Sequence, residues 1–201
     1  MDKLLSVGKD MLQQQLSGQG QSQGQSNNQG GGGNNNNSGG FQDDILKMAQ
    51  QHASNNAGNS GNSDLFSNIM SAVGNKQEKI QNEDIDEQDA IKQHQHAYEN
   101  DGKGDSSSLG TAAAMQALKK FTQSSNSNSA SSGTGQAAFL GMAMSEASKL
   151  FDSKAAQGKV ADGASKDNAV QQAVEMAMKM YFKSQAESQG GLAGLASKFL
   201  K

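Results

Sequence analysis

Histidine is the side chain best suited to proton or metal chemistry at neutral pH, and this chain has three: His52, His94 and His96. Asp89 and Glu99 flank the last two. Imidazoles and carboxylates are ligand types for a divalent metal, so this stretch is the first place to look for a metal-binding protein or an enzyme. The local pattern argues otherwise. Ile85, Ala90, Ile91 and Tyr98 predict a helix over 83–99, and residues two apart on a helix project to different sides. His94 and His96 are therefore expected as exposed polar residues, and no metal ligand is assigned.

The next stretch, Glu99 to Asp105, has the oxygen-rich look of a calcium loop. Counted from Asp101, however, Ser106 falls where an EF-hand needs glycine, and no glutamate occupies the twelfth place. A turn ending in a helix N-cap is the expectation. Gly102-Lys103-Gly104 lacks the spacing of a phosphate loop. No G-x-S-x-G elbow accompanies the many serines. Carboxylates cluster at Glu78, Glu83, Asp84, Asp86, Glu87 and Asp89, where they suit the positive end of a helix. Without cysteine, thiol nucleophiles, disulfides and Cys-based zinc sites are excluded. The reading is a non-enzymatic protein with no catalytic, cofactor or metal residues.

Charge narrows the partners. All 17 basic residues are lysines and the formal net charge is -3. Scattered lysines without arginine supply neither a phosphate-neutralising stripe nor a guanidinium fork for a base edge. Specific nucleic-acid binding is not expected. Apolar runs are too short to span a bilayer, and Met1-Asp2-Lys3-Leu4-Leu5 lacks the apolar core of a secretory signal. Prenylation needs a cysteine and myristoylation a second-position glycine, and both are missing. The expected address is the cytoplasm, with the nucleus as the alternative.

The elements behind these residues divide the chain into four. Residues 1–16 predict an amphipathic helix with Leu4, Leu5, Met11, Leu12 and Leu16 near one face. Residues 17–40 are a Gln/Asn/Gly/Ser tract; Ser17 to Gln42 carry no charge. Such a composition cannot offset backbone ordering entropy, so disorder is expected, either as a linker or as an amide-rich assembly segment. Residues 41–82 hold two short amphipathic helices, 41–54 and 63–74, the second with an N-cap at Ser63-Asp64 and a stop at Gly74. Residues 83–201 form the main helical domain.

Within that domain the apolar residues recur at three and four. Leu109, Ala113, Ala117, Leu118 and Phe121 mark one helix over 108–121. Phe139, Leu140, Ala143, Met144, Ala147, Leu150 and Phe151 mark a second over 135–152, and Val170, Ala173, Val174, Ala177, Met178, Tyr181 and Phe182 a third over 166–185. Their closing phenylalanines are about 30 residues apart, which reads as a helix-loop repeat. Leu192 to Leu200 supplies a closing helix. The fold class is all-α: a small Ala/Met-rich helical bundle or short helical repeat stack behind a disordered N-terminal region. Its methionines are read as core filler in preference to a binding groove.

Two groups of residues resemble known proteins. Ser107 to Phe121, preceded by His94-Gln95-His96-Ala97-Tyr98 and followed by Met144 to Phe151, resembles the fungal "beta-flanking" family over about residues 80–201. That resemblance implies a helical protein without catalytic residues. Gly191 to Lys201 is similar to the Leu-Ala-Ser-x-Phe helices of the Asn/Gln-rich yeast prion type, although the polar tract here is N-terminal, short and poor in aromatics. Together these readings imply a cytosolic fungal protein whose helical domain mediates protein association, with the Gln/Asn tract tuning prion-like conditional self-assembly. The expected partners are further copies of the chain and Hsp70-type chaperones gripping Leu192–Leu200, and stress is the fitting context. The alternatives are a hydrophilin-like protectant, given the mean hydropathy of -0.74, and a metal-binding protein or enzyme centred on His94 and His96.

Overall fold

Small residues decide how the helices of this protein meet. The computed structural model describes residues 39–124, 133–186 and 191–199, and these fall in one compact unit, Asn37–Lys201. The readings for residues 1–16, and for the tract up to residue 38, lie outside the described residues.

Eight α-helices are described: α1 Gly39–Ala57, α2 Ser63–Gly74, α3 Gln77–Asn82, α4 Glu87–His94, α5 Ser106–Ser124, α6 Gly133–Ala156, α7 Lys166–Ala186 and α8 Gly191–Phe199. A π-helical turn, Gln95–Glu99, continues α4. No strand occurs among the described residues, only an isolated bridge between Gly104 and Val160. The fold is all-α.

The centre is α6, which packs against α1, α5 and α7. It is enclosed enough to bury Gln136, Ser145, Glu146, Ser148 and Lys154 along with Phe139, Leu140, Ala143 and Met144. Because α5 and α7 also pack on each other, the three helices ending in phenylalanine close into a bundle. In a linear stack the first and third would not touch. Most of the described methionines are core residues: Met115, Met144 and Met180 are fully enclosed, while Met48 and Met142 are half-buried against the core.

Two glycines set the closest approaches. A Cβ on Gly141 of α6 would lie 2.7 Å from the Ala49 carbonyl oxygen of α1 and 3.0 Å from Ala53 N. A Cβ on Gly110 of α5 would lie 2.5 Å from the Ala169 carbonyl oxygen of α7 and 3.0 Å from Ala173 N. With alanines opposite, the backbones come into contact, and many short dispersion contacts replace a few large side chains.

The stretch from Asn75 to Asp89 differs. Only Ile80 and Ile85 are buried there. Three ion pairs tie it to successive turns of α7: Lys76–Glu175 at 2.9 Å, Lys179–Glu83 at 2.6 Å and Lys183–Glu87 at 2.9 Å. It forms a strap along that helix.

Several boundaries moved from their sequence-based positions. The helix predicted over 83–99 begins at Glu87, because the Asp86 side chain accepts from Asp89 N at 2.9 Å and caps it there. Helix α2 starts at Ser63 and ends at Gly74 as expected, but its cap is Asn62, accepting from Leu65 N at 2.7 Å. Residues 41–82 and 83–201 share one core: α1 lies on α6, while α2 and α3 pack on α7. The closing helix α8 buries Leu192, Leu195, Ala196 and Phe199 and packs on α7 and α5.

Candidate functional site

Asp89, His94, His96 and Glu99, which the sequence singles out, lie on α4 and the π-turn, next to the loop leading into α5. The pattern that places them is visible in part: Ala90, His94 and Ala97 follow at four- and three-residue spacing, with Tyr98 four residues after His94, so a histidine falls on the buried stripe.

His94 is buried, which corrects its expected exposure. Its Nε2 is 2.9 Å from Gln116 Oε1 of α5, and its ring stacks on Tyr98 at 5.0 Å between centroids. A ring that is hydrogen-bonded at one edge and stacked on one face is a satisfied packing group. His96 is exposed, as expected, and points elsewhere: its Nε2 lies 3.1 Å from the Lys103 carbonyl oxygen, with the ring over Gly102. Asp89 accepts from Gln93 Nε2, and Glu99 is exposed. The structure does not bring these four side chains together. Among the described residues no three His, Cys, Asp or Glu lie close enough to hold a metal. His52 is half-buried on α1, beside Gly141.

The π-turn ends in a loop locked by charge. Asp101 adopts φ 50°, an uncommon conformation for a side chain other than glycine. Its carboxylate accepts from Lys154 at 2.6 Å and also from Lys159. These two lysines, Lys154 first, hold its pKa down to about 2. The Lys154 side chain is 3% exposed, against 54% for Asp101, so a buried ammonium depends on a half-exposed carboxylate. Backbone bonds close the same junction, Gly104 N to the Lys159 carbonyl at 3.1 Å and Ala161 N to the Gly104 carbonyl at 2.9 Å. Two helix starts meet just beyond. Asp105 caps α5 by accepting from Ser108 N at 2.7 Å, and that bond, first among its causes, lowers the Asp105 pKa. The Ser106 hydroxyl donates to the Ser165 carbonyl at 3.0 Å and accepts from Ser165 N at 2.9 Å. The sequence-based expectation of a turn with an N-cap describes this region well.

Tyr98 completes the cluster. Burial raises its pKa, and the negative charge of Glu146 adds to the effect. The phenol is thus held neutral, the opposite of what a base or nucleophile needs. Glu146 itself pairs with Lys120 at 2.7 Å. An open hollow of about 400 Å³ lies alongside, lined by Lys92, Gln93, Gln95, His96 and Asn100.

Sequence reasoning missed Gln116, Glu146 and Lys154, and weighed Asp101 only as the start of a calcium loop. For Lys154 a signal existed, since it falls four residues after Leu150 on the buried stripe of α6. For Gln116 and Glu146 none did, because their partners lie on other helices.

The part of this junction on α4, the π-turn and the start of α5 falls within a family match. Residues 46–127 match a family described as a domain of unknown function (DUF7721). The match runs from α1 through α5 and stops short of α6. No curated protein and no solved structure matches the chain.

Proposed function

We propose that the protein is a non-enzymatic association module: a self-contained helical unit whose N-terminal Gln/Asn-rich segment drives conditional, prion-like self-assembly. One observation carries the reading. Most of the apolar stripe residues of the described helices are buried in one core, down to Leu192, Leu195 and Phe199 of α8, with Ile91, Phe151 and Phe182 half-buried against it. The unit thus uses most of its apolar surface in its own core, which favours residues 1–38 as the associating segment. Their sequence, apolar residues at helical spacing followed by an uncharged amide tract, favours it.

At the α4–α5 junction Asp101, Lys154 and Lys159 form a clasp and Asp105 caps α5, structural roles that support the same reading. The cytoplasm fits a chain in which no described helix is long and apolar enough to cross a membrane. An Hsp70-type chaperone would meet Leu192–Leu200 on a chain whose α8 has undocked. The fungal context rests on the beta-flanking resemblance over about residues 80–201, and a stress context on the uncharged tract and the thin helical core.

Sedimentation of the full-length protein beside a chain lacking residues 17–38, which spares α1, tests the proposal. Large detergent-resistant species from the full chain alone support it. Identical small species from both chains refute it, and reduce the tract to a linker.

A further inference from the structure

The chain contains two Asp-Gly dipeptides, Asp101-Gly102 and Asp162-Gly163, and no Asn-Gly. Asp-Gly is the sequence most prone to spontaneous succinimide formation, because glycine leaves its own amide nitrogen unhindered. The two sites stand in opposite environments.

Asp101 is clasped by Lys154 and Lys159. The Gly102 N–H donates to the His96 carbonyl at 2.8 Å, and the His96 ring crowds Gly102 from above. Both reacting groups are engaged. Asp162 is fully exposed, with Lys103 Nζ 3.9 Å away as its one ion-pair contact. It occupies the second position of a four-residue turn closed by Ala164 N donating to the Ala161 carbonyl at 3.1 Å. Gly163, at φ 80°, is the left-handed third residue that such a turn favours. Nothing lies within 4 Å of where a Gly163 Cβ would be, and its N–H has no acceptor among the described residues. The central peptide of the turn thus has no hydrogen bond of its own to break, and no side chain crowds it.

We propose that Asp162-Gly163 is a site of spontaneous isoaspartate formation, and thereby a substrate for an isoaspartyl carboxyl methyltransferase, while Asp101-Gly102 is protected by the fold. In the reaction the Gly163 nitrogen attacks the protonated Asp162 carboxyl carbon. The N–Cγ bond forms, the Cγ–O bond breaks, and the oxygen leaves as water with the amide and carboxyl protons. Water then opens the five-membered imide. Opening at the main-chain carbonyl leaves the chain running through Cγ, one carbon longer; opening at Cγ restores aspartate.

The lengthened turn has a structural consequence. It lies between Ala161, bonded to Gly104, and Ser165, bonded to Ser106. The modification therefore loosens the junction that seats the start of α7 on α5. This inference is independent of the association reading, since it concerns a turn of the helical unit alone.

The test is to age the full-length protein in mildly acidic buffer at body temperature, then map isoaspartate by methyltransferase labelling and electron-transfer fragmentation. A parallel sample is aged in denaturant. Native protein should accumulate the isomer at residue 162 roughly tenfold faster than at 101 or more, because reaction at 101 waits on an opening that breaks both ion pairs. In denaturant the two rates should converge, and Asp162→Glu should remove the native signal. Equal native rates, a faster rate at 101, or no isomer at 162 in native protein would overturn the proposal.

Discussion

The α1–α6 and α5–α7 seams and the strap over α7 are all helical segments laid on helices, yet they are held in opposite ways. At the seams, Gly141 and Gly110 let backbone meet backbone, facing Ala49, Ala53, Ala169 and Ala173, all of them fully buried. The strap from Asn75 to Asp89 places two isoleucines in the core and relies on charges at its surface. Close packing has no slack to absorb a change, whereas exposed ion pairs are weak and screened by salt. A core that looks thin in composition can thus be firm where the small residues line up and loose where they do not.

Substitutions should sort along this contrast. The largest effect is expected at the seams. Gly141→Leu or Gly110→Leu would drive a side chain into the carbonyl of the facing helix and lower unfolding free energy by about 3 kcal/mol or more, read from denaturant melts. Next comes the clasp that joins the π-turn loop to α6. Asp101→Asn strands the buried Lys154 ammonium and should clearly lower Tm, whereas Lys154→Met removes that charge and should be tolerated. The clasp also sets a pH dependence. The folded pKa of Asp101 lies below its unfolded value, so its contribution is present above the ordinary value of 3.8 and disappears as pH falls towards about 2. Lys154→Met should flatten the acid limb of a stability–pH curve in that window.

The strap should respond less. Ile80→Ala should cost about 2 kcal/mol at most, and appear chiefly as faster proteolysis between residues 75 and 86. Smallest of all, Lys179→Ala should leave the global denaturation midpoint nearly unchanged while speeding the same cleavage. In wild type, high salt should have a similar effect, since the Glu83 pKa is lowered by its bond to Lys179 and that bond is exposed to screening.

Much of this fold was legible in the sequence because it is written at three- and four-residue spacing. The stripes of α5, α6, α7 and α8 predict their helices to within a few residues. Helix α3 was not legible, since Ile80 is its one buried residue and a lone apolar residue has no period. Nor was the break at 83–86, where Asp86 looks like any other acid in the run until it caps α4. Glycine inside a helix reads as a weakness; at positions 110 and 141 it marks a crossing, which only the facing alanines reveal. The candidate site was legible in its residues and not in their roles. His94 and Tyr98 share a visible stripe, but the contact with Gln116 and the influence of Glu146 depend on how α4, α5 and α6 register in space.

The most direct test of the seam-and-strap account is native-state hydrogen exchange on the full chain, resolved by segment. Amides flanking Gly110 in α5 and Gly141 in α6 should exchange only by global unfolding, while those from residue 77 to 89 should exchange through a local opening that added salt accelerates. Uniform protection across both regions, or a strap that outlasts the seams, would contradict it.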